Sequence, residues 1–165
     1  MILGITGHRK INDKYYDKND PDWINIEQRI YFKLKILVPS VLITGMALGV
    51  DQMAAKICLT LNIPFIAAVP FVGQEDRWND ASKIEYKELL MEAQEVKIIS
   101  PGGYAGWKMQ TRNKWIVDNC ENLLAVYDGG GGGTRNCVEY AKNLNKKIWV
   151  INPNEGDGFF KSEKL

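Results

Sequence analysis

Val41-Leu-Ile-Thr44-Gly45-Met-Ala-Leu-Gly49-Val50-Asp51 reads as a buried strand, a turn of small residues and the first turn of a helix. The run Val41 to Thr44 stops at Gly45, and Val50, Ala54, Ile57, Cys58 and Leu61 then recur at helical spacing. The same strand-to-helix unit repeats on both sides. Upstream, the apolar run Met1 to Thr6 stops at Gly7, and Trp23, Ile26, Ile30, Leu34 and Leu37 mark an amphipathic helix ended by Pro39. Downstream, residues 63–69 form a strand closed by Pro70, and residues 79–94 a helix with Ile84, Leu89 and Leu90 toward the core. Residues 96–99 are strand, broken by Pro101-Gly102-Gly103, and residues 107–119 are helical. Strand 123–127, helix 134–145 and strand 147–151 complete the series.

Six short apolar strands separated by five helices predict an α/β fold: a doubly wound, mainly parallel sheet with helices on both faces. Right-handed crossovers leave few arrangements, and the expected lateral order, counting strands along the chain, is 3-2-1-4-5-6. The chain has 165 residues, enough for one domain over 1–153, with a Gly- and Lys-bearing tail at 154–165 expected to fray. Residues 12–22 are polar and read as a loop before the first long helix.

Composition removes several functions. Lys+Arg number 21 against 20 Asp+Glu, a net charge of +1, so no bulk charge draws the chain to nucleic acid or lipid. Cys58, Cys120 and Cys137 have no CxxC spacing, lie on apolar stripes and read as packing residues. With His8 the single histidine, no metal site and no cofactor is expected. No apolar run is long enough to span a bilayer and no targeting signal is visible, so a soluble, cytoplasmic protein is expected.

In such sheets, ligands bind beyond the carboxyl ends of the strands, where the crossover direction reverses. Four suggestive segments fall there. Thr6-Gly7-His8-Arg9 follows strand one, and Arg9 can offer a planar fork of donors to phosphate or carboxylate. Gly45 to Asp51 follows strand two; Gly45 and Gly49 permit close approach, and Asp51 either caps its helix or accepts from ribose hydroxyls. Pro70 to Trp78 follows strand three, where Trp78 and Phe71 either stack on a base or pack as a lid. Asp128, five glycines (Gly129 to Gly133) and Thr134 follow strand five and offer free backbone N–H groups to an anion at a helix start. Arg112 and Asn113 lie on the helix before that strand, with Arg112 on the same side as Ile116 and Cys120, so it needs a partner or a pocket. Tyr104 and Trp107 flank the loop after strand four, and Trp23, Tyr31 and Trp115 serve either the core or a homodimer face.

Thr6-Gly-His-Arg9, Thr44 to Asp51, Trp78, Tyr86, Met109 to Asn113 and the later Gly-Gly-Thr together resemble the YpsA-like branch of the SLOG superfamily, which also holds DprA and the LOG phosphoribohydrolases. The resemblance covers about residues 1–153 and implies a Rossmann-like fold with a nucleotide-derived ligand, of ADP-ribose type among others, on the rim described above. LOG enzymes carry Met-x-x-Arg-Lys and Pro-Gly-Gly-x-Gly-Thr-x-x-Glu, and cleave an N-glycosidic bond with that arginine and glutamate. Here Arg112 matches, Asn113 replaces the lysine, and Cys137 stands where the glutamate is expected. Glu139 lies two residues later, about 200° around the helix from Cys137.

Three functions follow. The first is binding of a nucleotide-like small molecule through Thr6, Gly7, His8, Arg9, Gly45, Gly49, Asp51, Trp78, Arg112, Asn113, Asp128, Gly131, Gly132, Gly133 and Thr134. The second is a nucleotide N-glycosidase with Arg112 and Glu139 as catalytic residues, Arg112 holding substrate and Glu139, or else Asp51, stabilising a developing oxocarbenium ion or activating water. The third, single-stranded DNA binding of DprA type, is opposed by the balanced charge.

Overall fold

The computed structural model describes residues 1–155; the rest of the expected frayed tail lies outside the described residues. The central sheet takes β1 (Ile2–Gly7), β4 (Val41–Thr44), β5 (Phe65–Val69), β6 (Glu95–Ile98), β7 (Asn122–Val126) and β8 (Lys147–Ile151). A small antiparallel pair, β2 (Lys10–Ile11) and β3 (Lys14–Tyr15), follows β1. The helices are α1 (Pro21–Leu37), α2 (Val50–Leu61), α3 (Asp80–Glu92), α4 (Gly106–Asn119) and α5 (Gly133–Asn143).

All five pairings in the sheet are parallel, in the order β6-β5-β4-β1-β7-β8. The fold class is as expected, but the strand order is not. The fourth strand of the sheet, β6, lies outside β5 at the edge, and β7 takes the place beside β1. Physical chemistry favours this arrangement. Glu95 and Lys97 alternate with Val96 and Ile98, and all four residues are exposed. Charged, short strands protect a sheet edge from further pairing, whereas a strand beside β1 must be apolar on both faces. Leu123, Leu124, Ala125 and Val126 of β7 meet that demand and are fully buried.

Strand residues alternate between two cores. Leu3, Ile5, Leu42, Phe65, Leu124 and Val126 pack with Trp23, Ile26, Met53 and Tyr86 of α1, α2 and α3. On the opposite face, Leu123, Ala125 and Ile148 pack with Val117 and Val138, and Ile43 and Ala68 pack with Ile116 and Cys120. Thus α1 to α3 cover one face and α4 and α5 the other. The chain leaves β1 toward the first face and β7 toward the second, so a crevice opens between these neighbours at their carboxyl ends.

Three local expectations change. The segment read as a loop carries the β2–β3 hairpin, whose two-residue turn uses the left-handed Asn12 and Asp13 (φ 50° and 61°). Asp20 then caps α1, accepting from the Asp22 and Trp23 N–H groups, with Pro21 at the first helical position. Ile84, expected in the core, is exposed; Tyr86 and Leu89 fill that place. Trp23 is wholly buried and offers no face to a partner, while Tyr31 and Trp115 pack at the margins of the cores. Among the described residues, no helix is long and apolar enough to cross a membrane.

Candidate functional site

A cleft of about 340 Å³ fills the crevice beyond β1 and β7. Thr6, Gly7, His8 and Arg9 form one wall, and Asp51 with Ala47 a second. Met109, Gln110, Arg112 and Asn113 project from α4, and Gly131, Gly132, Gly133 and Thr134 close the last side. Gly132 takes a positive φ of 110° at the N-cap of α5 and supplies no side-chain acceptor. The first N–H groups of α5 therefore meet the cleft without a side-chain cap, which is the local arrangement that accepts an anion.

The floor is ionic and buried. The Arg112 guanidinium donates through Nη1 to the Gly45 and Ala68 carbonyls, and through Nε to Asn113 Oδ1 at 2.9 Å. Asn113 in turn donates to the Gly133 carbonyl at 3.5 Å, joining α4 to the glycine loop. Asp51 Oδ2 accepts from the Ala47 N–H at 3.2 Å. Burial pushes the Asp51 carboxyl above its ordinary range, and the nearby Arg112 charge only partly opposes this. Burial likewise pulls the Arg112 guanidinium down, against the stabilising charge of Asp51. A side chain at position 45 would collide with the guanidinium and stand 2.8 Å from Asp51 Oδ2, so only glycine fits between them.

At the rim, His8 Nε2 lies 2.8 Å from Asp128 Oδ1, which also accepts from the Gly130 N–H at 2.8 Å. That backbone donor first, and His8 next among the side chains, hold the Asp128 carboxyl below its usual value. Asp128 thus ties the end of β1 to the glycine loop from outside the cleft. Arg9 is exposed and makes no ion pair or hydrogen bond through its side chain among the described residues. Among the described residues lining the cleft, it is the cation left available to an incoming anion.

A family model for YpsA, described as the YspA SLOG family, matches residues 3–155. The chain belongs to this SLOG family. It is 38% identical to the SPbeta prophage-derived protein YoqJ of Bacillus subtilis over 130 residues, covering 67% of this chain and 75% of YoqJ. It is 30% identical to the UPF0398 protein BH1768 of Halalkalibacterium halodurans, covering 93% of this chain and 83% of the relative. DprA of Streptococcus pneumoniae shares the fold at a TM-score of 0.67 and 18% identity, covering 95% of this chain. The SLOG chain spans about half of that longer protein, 52%. A molybdenum cofactor binding protein from Rippkaea orientalis shares it at 0.56 and 18% identity, covering 92% of this chain and 76% of the other.

Of the candidate residues in this SLOG chain, Thr6, Gly7, His8, Arg9, Asp51, Arg112, Asn113, Gly131, Gly132, Gly133 and Thr134 converge on the cleft. Gly45 and Asp128 stand directly behind it and hold its lining groups. Gly49 caps α2 at φ 93° just beyond, against Trp23 and the His8 and Arg9 carbonyls. Two candidates are misplaced. Trp78 packs edge-on against Tyr86 with ring centroids 5.2 Å apart, at the margin of the first core, and does not line the cleft. Glu139 lies on the outer face of α5, paired with Lys142 at 3.3 Å. The inward position belongs to Cys137, which shares a hydrogen bond with Thr6 and whose thiol burial pushes up to about 12.

Gln74 is a supporting residue that motif reading passed over. Buried after β5, it donates to the Gly45 carbonyl at 3.2 Å and accepts from the Tyr86 hydroxyl at 3.3 Å. The Gly45 carbonyl is thereby held for Arg112 by a second donor. Tyr86→Phe leaves Gln74 Oε1 without that partner and should cost about 1 kcal/mol. The midpoint of urea unfolding measures it; an unchanged midpoint means the Tyr86 bond does not support Gln74.

Proposed function

We propose that this protein binds a nucleotide or nucleotide-derived small molecule, with ADP-ribose-type compounds among the candidates. Its phosphate lies against the glycine loop and the start of α5, and Arg9 closes over it. The carrying observation is the meeting, in one cleft, of a helix N-terminus without a side-chain cap and an arginine side chain with no hydrogen bond or ion pair among the described residues. Asp51 faces the same space and suits a ribose hydroxyl rather than phosphate. Buried Arg112 is committed to the Gly45 carbonyl and shapes the floor. Support from kinship is general: a Helicobacter pylori DprA of the same fold binds single-stranded DNA, and the R. orientalis protein binds molybdenum cofactor.

The hydrolase reading loses Glu139, which faces solvent, and rests on Asp51 alone beside Arg112. A thermal-shift panel of mononucleotides and ADP-ribose-type compounds tests the proposal. At least one compound should raise the melting temperature, and Arg9→Ala should remove most of the shift while leaving the unliganded melting temperature unchanged. No shift across the panel overturns the reading. Chromatography of the same mixtures should show no free base, and single-stranded DNA should give no comparable shift. Release of base would reinstate the hydrolase, and a shift with DNA the third function.

A further inference from the structure

A second cavity, of about 220 Å³, opens beside the cleft, and Arg9 lines both. Its walls come partly from α2, which also gives Asp51 to the first site, and partly from β3 and α3, which the first site does not use. Tyr15 and Tyr16 stand on and after β3, Lys56 projects from α2, and Asn79, Ser82 and Glu85 belong to the start of α3. Whole-ligand pockets run from about 300 Å³ upward, so this space alone suits a part of a molecule rather than an entire one. The cleft and the cavity touch at the same cation, and their lining residues are neighbours in the chain at Ala47 and Leu48 and at Asp51 and Gln52.

The cavity is built to take a ring with polar edges. Tyr15 is largely exposed, at 69%, with the Lys10 ammonium 4.5 Å from its ring centre. Tyr16 stands edge-on to Trp23, which fixes its plane, and Lys56 lies 5.5 Å from its centre. Lys56 is held by Glu85 at 2.5 Å, and the Asn79 side chain is spent on the Ser82 N–H at 2.8 Å. Two tyrosine rings, each with an ammonium over one face, thus sit beside side chains held in place by an ion pair and a helix cap.

We propose that the natural ligand has two heads: a nucleotide in the glycine-lined cleft, a phosphate bridge at Arg9, and a second sugar or nucleoside ring in the Tyr15–Tyr16 cavity. The inference rests on the nucleotide reading of the cleft and extends it to the class of diphosphate-bridged nucleotides.

Calorimetric titration of the full chain with matched pairs, AMP against ADP-ribose and UMP against UDP-glucose, tests it. One two-headed compound should bind at least about tenfold more tightly than its mononucleotide, the low end of what one ring stacked on an aromatic side chain supplies. Ser82→Trp, which fills the cavity and keeps the Asn79 cap, should erase that advantage and leave mononucleotide affinity unchanged. Tyr15→Ala, at an exposed position of the hairpin, should reduce the advantage severalfold. Equal affinities within each pair overturn the proposal. So does a Ser82→Trp or Tyr15→Ala effect that falls equally on both members. If mononucleotides bind and the two-headed compounds gain nothing, only this inference fails. If neither class binds, the reading of the cleft fails and this one with it.

Discussion

Arg112→Met is expected to lose about 3 kcal/mol of folding stability near neutral pH and to abolish nucleotide binding. The guanidinium is 4% exposed and donates to the Gly45 and Ala68 carbonyls and to Asn113. Its removal strips the buried Asp51 of its opposing charge and releases the tie to the Gly133 carbonyl. The loss should depend on pH, with a definite sign. Burial already raises the Asp51 carboxyl in the native state above 3.8, the ordinary value. A raised native value means that folding is penalised as pH climbs above the unfolded value, and relieved as pH falls back through the native one. Without Arg112 the native value rises further, so the penalty grows and its window widens upward. Urea unfolding should therefore show a smaller gap between variant and parent at about pH 4.5 than at about pH 7.5. Adding Asp51→Asn should recover most of the stability without restoring binding. A gap independent of pH would detach the loss from Asp51.

Gly7→Ala should cost about 1–3 kcal/mol through overpacking and deform the cleft at the wall formed by Thr6 to Arg9. A methyl group there would stand 2.6 Å from Val50 Cβ and from both of its γ carbons, at the first residue of α2. Carbon atoms do not approach so closely, and neither partner can swing away, since one is strand backbone and the other a β-branched side chain on a helix. Relief must come from the partner. Val50→Gly in the same chain, which removes the Cβ together with both γ carbons, should rescue part of the loss, giving a favourable coupling of about 1 kcal/mol or more in a double-mutant cycle. Ligand-induced thermal shifts should fall in Gly7→Ala and recover in the double variant. A single variant as stable as the parent would show that β1 and α2 are not in contact at this point.

The strand–turn–helix units were legible because each combines an apolar run, a glycine stop and a helical stripe, signals that local physics controls. The convergence of Thr6 to Arg9, Asp51, Arg112 and Gly131 to Thr134 followed from one rule, that loops at strand carboxyl ends share a rim. The place of β6 was not legible from its length or position, although its alternating Glu95 and Lys97 carried the mark of an edge. Trp78 misled because an aromatic beside a strand end serves a ligand or a core equally well. Only the Tyr86 ring against it decides. Gln74 gave no local signal at all. Its role exists through partners 29 residues upstream and 12 downstream, which only the folded chain brings together. Glu139 could be judged in advance, because two residues on a helix turn a side chain nearly to the opposite face.

The thiol of Cys137, shut behind Thr6 and held up at about 12, stays protonated across the whole physiological range. A protonated sulfur is a poor nucleophile. A sulfur so silenced at the back of the cleft adds bulk there and no covalent chemistry.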